Sequence, residues 1–258
     1  MKKIIAMLLA VLMLAACFAG CAKKADTDSA FVKDKGTLIV GITDYAPMDF
    51  LDENGNWTGF DAEFAEAFAK KLGVKCEFLL IDWDNKFFEL ESKNIDCIWN
   101  GMTITDEAKL NSSVSKPYAE NAQVVVMNAD VAGKYTDTVS LMGLSFAVEK
   151  GSAGEDCLIE LGIDNYVAPN DQATALMEVA AGTSDACVID LAMANAMTGA
   201  GTSYANLTQA MRLNEEVFGV SFRKDSDLTA QFNETLAAMI ADGSLQTLAD
   251  KYGLALCK

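Results

Sequence analysis

The 258-residue chain contains no histidine. Ser-His-Asp and Cys-His catalysis, imidazole general bases and histidine-bearing metal sites are therefore all excluded. The groups left to act on a small molecule include carboxylates, aromatic faces and backbone N–H groups. Glu149 and Asp190 close two apolar runs, LSFAVE and ACVID, and carboxylates in such places suit a cationic partner. Tyr45 and Trp83 offer flat apolar faces. Ser152, Ala153 and Gly154 open a helical stretch, so the N–H groups of its first turn form a seat for a carboxylate. Each group also has a plainer role. Tyr45 and Trp83 fit a core, Gly101 fits a tight turn, and Ser152 and Asp190 fit helix caps.

The elements that position these groups follow from hydrophobic periodicity. Residues 37–43, 75–81 and 95–100 read as strands, with a helix at 61–72, a short helix near 85–93 and a hairpin turn at Asn54-Gly55. In the helix, Phe60, Phe64, Phe68 and Leu72 recur every four residues, Asp61 is placed to cap and Gly73 to stop. A loop from Gly101 to Thr105 opens another short helix. The pattern then restarts, with strands at 123–127, 144–149, 186–190 and 219–223 and helices at 153–162, 171–181, 191–199, 227–241 and 245–252. Alternation of this kind predicts an α/β protein with parallel sheets and helices on both faces. The halves echo each other: Asp96 and Asp185 each stand between a helix end and a strand. In open α/β sheets ligands lie beyond the C-terminal strand ends. Those ends are Tyr45, Trp83, Asn100 through Thr103 (with Gly101 and Met102), Glu149 through Gly154, and Asp190.

Charge narrows the partners. With 37 acidic and 20 basic residues the formal net charge is −17, and no basic stripe exists, so nucleic-acid binding is excluded. The N-terminus has the layout of a cleaved secretory signal over residues 1–20: Lys2 and Lys3, an apolar run, then small residues before a cysteine. The run is too short to span a bilayer. Two lipobox registers compete, one ending at Cys17 and one at Cys21, with Cys21 favoured because a polar tether, 21–34, follows it directly. Either register predicts a lipid-modified cysteine on the outer face of a bacterial cytoplasmic membrane. The five other cysteines show no metal spacing, and no disulfide is expected.

Seven segments, taken in order, resemble the extracellular solute-binding proteins of amino-acid ABC importers, family 3. They are Gly41-Ile-Thr-Asp-Tyr-Ala-Pro-Met48, Thr58-Gly-Phe-Asp61, Ile81-Asp-Trp-Asp84, Asn100-Gly-Met-Thr-Ile-Thr105, Gly151-Ser-Ala-Gly-Glu155, Cys187-Val-Ile-Asp190 and Phe222-Arg-Lys-Asp225. The resemblance implies a two-lobe periplasmic-binding-protein type II fold with the ligand cleft between the lobes. Lobe one would be 35–122 plus 215–258, and lobe two 123–214. It further implies that Tyr45 and Trp83 sandwich the ligand side chain, that Gly101, Thr103 and Asp190 receive its ammonium, and that Ser152 through Gly154 receive its carboxylate. No cofactor or catalytic residue is implied; the partners are a small solute and an ABC permease, and the receptor is expected to be a monomer.

One position departs from the resemblance. Where the family places an arginine that grips the ligand carboxylate, in Thr105-Asp-Glu-Ala-Lys109, this chain has Ala108. Lys109 is adjacent but turned about 100° around the helix. With Glu149, Asp190 and Asp44 nearby, the cleft reads as acidic, and cationic or amine-rich solutes are expected to bind better than glutamate. Two other functions suit the same fold: a sensor presenting ligand state to a membrane partner, and a secreted dehydratase-type enzyme. The enzyme would need cationic groups that this cleft lacks.

Overall fold

The computed structural model describes residues 27–258. The signal segment and both lipidation candidates, Cys17 and Cys21, lie outside the described residues.

The chain builds one α/β lobe, crosses to a second, and returns. Helix α1 (Asp28–Lys35) leads into β1 (Thr37–Ile42), the hairpin β2 (Phe50–Leu51) and β3 (Trp57–Thr58), α2 (Phe60–Leu72), β4 (Lys75–Leu80), α3 (Lys86–Glu91), β5 (Cys97–Thr103), α4 (Asp106–Asn111), β6 (Ser113–Val114) and β7 (Ala119–Asn121). The second lobe holds β8 (Gln123–Asn128), α5 (Ala129–Ala132), β9 (Phe146–Val148), α6 (Ala153–Leu161), β10 (Tyr166–Val167), α7 (Gln172–Ala181), β11 (Ala186–Asp190), α8 (Leu191–Met197) and β12 (Leu207–Arg212). The return strand β13 (Glu216–Phe222) is followed by α9 (Leu228–Ala241) and α10 (Ser244–Tyr252).

Neither sheet is purely parallel, contrary to the expectation from alternation. The first runs β4-β1-β5-β13-β6 and the second β10-β9-β11-β8-β12. In the first, β1 is parallel to β4 and β5, but β13 is antiparallel to both β5 and β6. In the second, β11 is parallel to β9 and antiparallel to β8. The odd strands, β13 and β8, are the ones entering straight from a crossing between lobes. They belong to no βαβ unit, so the helix-strand rhythm carries no information about their direction.

The echo between Asp96 and Asp185 is a shared device. Asp96 accepts the Ile39 N–H at 2.8 Å, and its own N–H donates to the Ile39 carbonyl at 2.7 Å. Asp185 does the same with Ser145, at 2.8 Å and 2.9 Å. Each carboxylate thus pins its strand to the parallel neighbour at the lobe's floor, opposite the end where ligands bind in such sheets.

Residues 28–35 correct the tether expected over 21–34. Thr27 caps α1 through the Ala30 N–H, Gly36 ends it in a left-handed conformation, and Val32 is fully buried. The Ser29 N–H and hydroxyl both donate to Asp227, and Arg223 joins Asp28 (2.9 Å) to Asp96 (3.1 Å). A helix of eight residues with little amphipathic pattern gives no periodicity to find; the cap and the stop were the available signals. The phenylalanine repeat does face the core. Phe64 and Phe68 pack with Trp99, Phe222 and Phe232, with Phe64 and Trp99 ring centroids 4.9 Å apart. Among the described residues no helix is long and apolar enough to cross a membrane. All five cysteines from Cys76 onward are free thiols.

Candidate functional site

The expected loop at Gly101 is instead the end of β5, and the strand is bulged there. From Ile98 to Met102 β5 takes four steps while β13 takes two, from Ser221 to Gly219. Such bulges re-aim backbone groups beside sites. Gly101 sits at φ 56°, and a Cβ on it would lie 2.6 Å from the Tyr45 ring, so only glycine fits. Its N–H turns inward to the Asp61 carboxylate at 2.6 Å, which also takes the Tyr118 hydroxyl at 2.8 Å. Asp61 therefore does not cap α2, whose cap position is Gly59. It is fully buried, and burial pushes its carboxyl up to about 7.

Between the lobes lies a cleft lined by the bulge, by Trp83, Lys86 and Ala108 from lobe one, and by Gln123, Glu149, Ser152, Ala153, Gln172 and Asp190 from lobe two. Of the residues read from the sequence, Trp83, Asn100, Gly101, Met102, Thr103, Glu149, Ser152, Ala153 and Asp190 all line it. Tyr45 and Gly154 do not. Tyr45 is buried beneath Gly101, and Gly154 is packed against Gln123, Val148 and Val188. Asp44 is exposed and outside the lining. Asn100 borders the cleft, but its amide is committed to Thr43 and Asp49, 2.7 Å from each. That side chain fixes β5 to the turn after β1.

Ser152 caps α6 through the Glu155 N–H, leaving the Ala153 N–H at the cleft face. Asp190 occupies the cap position of α8, but its side chain makes no capping bond there. Instead one oxygen accepts the Gln123 amide at 2.7 Å as well as that of Asn121, and the other accepts Gln172. The Asp190 N–H donates to the Gln172 side-chain oxygen Oε1 at 2.8 Å, which locks the pair. Glu216, at the return crossing, accepts from Asn121 (2.7 Å), Gln123 (2.9 Å) and Thr103 (2.8 Å). Two crossover amides are thus shared between a carboxylate of lobe two and one at the hinge. Burial, then the charge of Glu216, raises the Asp190 carboxyl to about 7. Burial, then Asp190, holds Glu149 well above the usual carboxylate range, and its Oε1 has no partner.

A cation missing from the sequence reading lies here. Lys86 is only 7% exposed. Its ammonium donates to the Trp83 carbonyl at 3.2 Å and the Gly151 carbonyl at 2.8 Å, and lies 5.3 Å and 5.1 Å from the Trp83 and Phe87 rings. The available signal was position: Lys86 is four residues before buried Leu90, on the apolar face of α3. Lys109, by contrast, is exposed and paired with Asp106 at 3.1 Å. The lobes meet at the mouth. Lys150 pairs with Asp84 at 2.9 Å, and a Cβ on Gly151 would lie 2.7 Å from the Asp84 Cα.

Two mixed-sheet lobes, two crossings and a polar cleft between them define a two-lobe solute-binding protein of the type II periplasmic-binding fold. The chain belongs to the bacterial extracellular solute-binding proteins, family 3, whose profile matches residues 38–255. It is similar to the L-cystine-binding protein TcyJ of Escherichia coli K12, 32% identical over 248 residues, 93% of this chain and 92% of that protein. It is also similar to the L-arginine-binding protein of Pseudomonas aeruginosa, 31% identical over 234 residues, 86% of this chain and 89% of that protein. Among solved structures, it is similar to the ancestral amino acid-binding protein AncCDT-1, a precursor of cyclohexadienyl dehydratase. That structure superposes with a TM-score of 0.79 at 32% identity, covering 87% of this chain and 98% of that one.

Proposed function

We propose that this chain is the lipid-anchored, monomeric receptor of an ABC importer and takes an amine-bearing, amino-acid-like solute between its lobes. The observation that carries the reading is the pair of buried carboxylates, Asp190 and Glu149, facing a cleft whose arginine position is Ala108. Asp190 takes the solute's ammonium, with Gly101 and Thr103 beside it. Trp83 forms an apolar wall, and Tyr45 acts from beneath by supporting Gly101. Relatives that bind arginine and cystine support an amino-acid-like ligand. The kinship with a dehydratase precursor favours an enzyme less, since a dicarboxylate-like substrate would meet two buried carboxylates here and repel them.

Calorimetry of residues 22–258 against the twenty amino acids and L-cystine tests this reading. A basic amino acid or cystine is expected to bind well ahead of glutamate, and Trp83→Ala to weaken the tightest ligand at least tenfold, while Trp57→Ala changes it less than threefold. Trp57 packs half-buried on lobe one, away from the cleft. Equal losses in both variants would remove Trp83 from the site, and glutamate as the tightest ligand would overturn the charge argument. Mass spectrometry of the membrane fraction should find a mature N-terminus at lipidated Cys21, or at Cys17. An unmodified terminus released into the medium would refute the anchor.

A further inference from the structure

A buried ammonium without a counter-charge is costly unless something compensates it. Lys86 has that character. Among the described residues no carboxylate approaches its nitrogen within ion-pair distance, although every other close lysine or arginine pair with an acid in the protein lies at 3.1 Å or less. Two of its three N–H donors meet carbonyl oxygens, those of Trp83 and Gly151. The nitrogen itself lies over the Trp83 and Phe87 rings, whose faces hold the head at the cleft wall. Ala108, 1% exposed, packs in the same apolar cluster as Trp83 and Phe87 and lines the same cleft. The Gly151 carbonyl that Lys86 contacts belongs to the turn leading into α6, so the cation stands beside the first N–H groups of that nine-residue helix.

We propose that the Lys86 ammonium, together with the first turn of α6, binds the carboxylate of the solute, replacing from α3 the charge that an arginine at position 108 would supply from α4. The inference rests on the amino-acid-like ligand proposed above. It also locates the two ends of that ligand. The carboxylate lies toward Lys86, Ser152 and Ala153 near the mouth, and the ammonium lies toward Asp190 and the hinge amides. A lysine is a point charge without a guanidinium fork, so the carboxylate is held with less geometric demand than a bidentate clamp would impose. Lys86 has a second contribution, since its bond to the Gly151 carbonyl ties the two lobes, and the test must separate the two.

Three pairs of probes differ only in the presence of carboxylate: L-arginine and agmatine, L-histidine and histamine, L-cystine and cystamine. Calorimetry on the wild-type chain selects the pair whose amino acid binds best, and that amino acid is expected to bind at least tenfold tighter than its amine. In Lys86→Met this preference should shrink to less than threefold; loss of the bond to the Gly151 carbonyl acts on both members of the pair alike and leaves their ratio unchanged. Lys86→Arg should retain the preference, and Lys86→Met combined with Ala108→Arg should restore it. If Lys86→Met weakens amino acid and amine alike, with the ratio kept, Lys86 is only a tie between lobes and the proposal falls. An unchanged amino-acid affinity in Lys86→Met also overturns it. If none of the three amino acids binds the wild-type chain, the amino-acid reading itself fails and this inference falls with it.

Discussion

Asp190→Asn is expected to lower affinity for an amine-bearing solute on the order of a hundredfold. Removing one partner of a buried, hydrogen-bonded charge pair costs about 2–5 kcal/mol, and Asp190 is 3% exposed with both oxygens held by amides. Those amides aim the carboxylate before any ligand arrives, so no ordering cost is left for binding to meet. The variant is expected to fold, because asparagine removes a buried charge and retains an acceptor for the crossover amides. Glu107→Gln is the matched control. Glu107 also lines the cleft but is exposed, so screening leaves an effect below threefold. Calorimetry on the two variants decides the matter; similar losses would mean that the cleft acts through its general negative potential and not through one seat.

Acid should act on stability and on binding in opposite directions. Asp61 and Asp190 each sit at about 7 in the folded chain against an ordinary value of 3.8. Between about pH 4 and 7 the folded chain therefore holds protons that the unfolded chain has lost, and stability falls as pH rises through that window. The acidic excess of the chain acts in the same direction. The ligand-free protein is expected to melt higher at pH 5 than at pH 8, by about 5 °C or more. Binding of a cationic solute requires Asp190 ionised, so affinity should fall about tenfold per unit as pH drops below 7. Thermal melts with and without ligand across pH 5–8 read both trends at once. A ligand-free melting temperature that climbs toward pH 8 would contradict the placement of these carboxyls, and a pH-independent affinity would remove Asp190 from contact with the ammonium.

The fold was legible because each helix in a βαβ unit leaves a four-residue apolar rhythm and each buried strand an apolar run. What the rhythm could not express were contacts made by the crossings. Gln123, Asn121 and Glu216 matter because β8 and β13 enter their sheets from the hinge, and nothing local marks them. Asp190 is legible as a strand end and stands at the cap position of α8, but its carboxylate is claimed by Gln172 on another helix, which nothing local marks. Asp61 in Thr58-Gly-Phe-Asp61 looked like a cap because sequence shows only neighbours along the chain, whereas its partner Gly101 lies across the lobe. Lys86 was overlooked for a different reason. A lysine in a helix reads as solvent-facing, and only the packing of α3 against the cleft turns this one inward.

The first helix has a mechanical consequence. A load applied to the chain at Thr27 does not begin by peeling β1 from its neighbours. It meets the Ser29–Asp227 and Asp28–Arg223 contacts first, and Arg223 is in turn fastened to Asp96 at the base of β5. Tension is thereby spread over β13, α9 and the middle of the first sheet before any ladder bond at the edge of β1 is strained. Peeling breaks sheet bonds one at a time, whereas this route loads several ties together. The N-terminal end of the described chain is thus built as a strain relief, set at the rim of the sheet opposite the cleft.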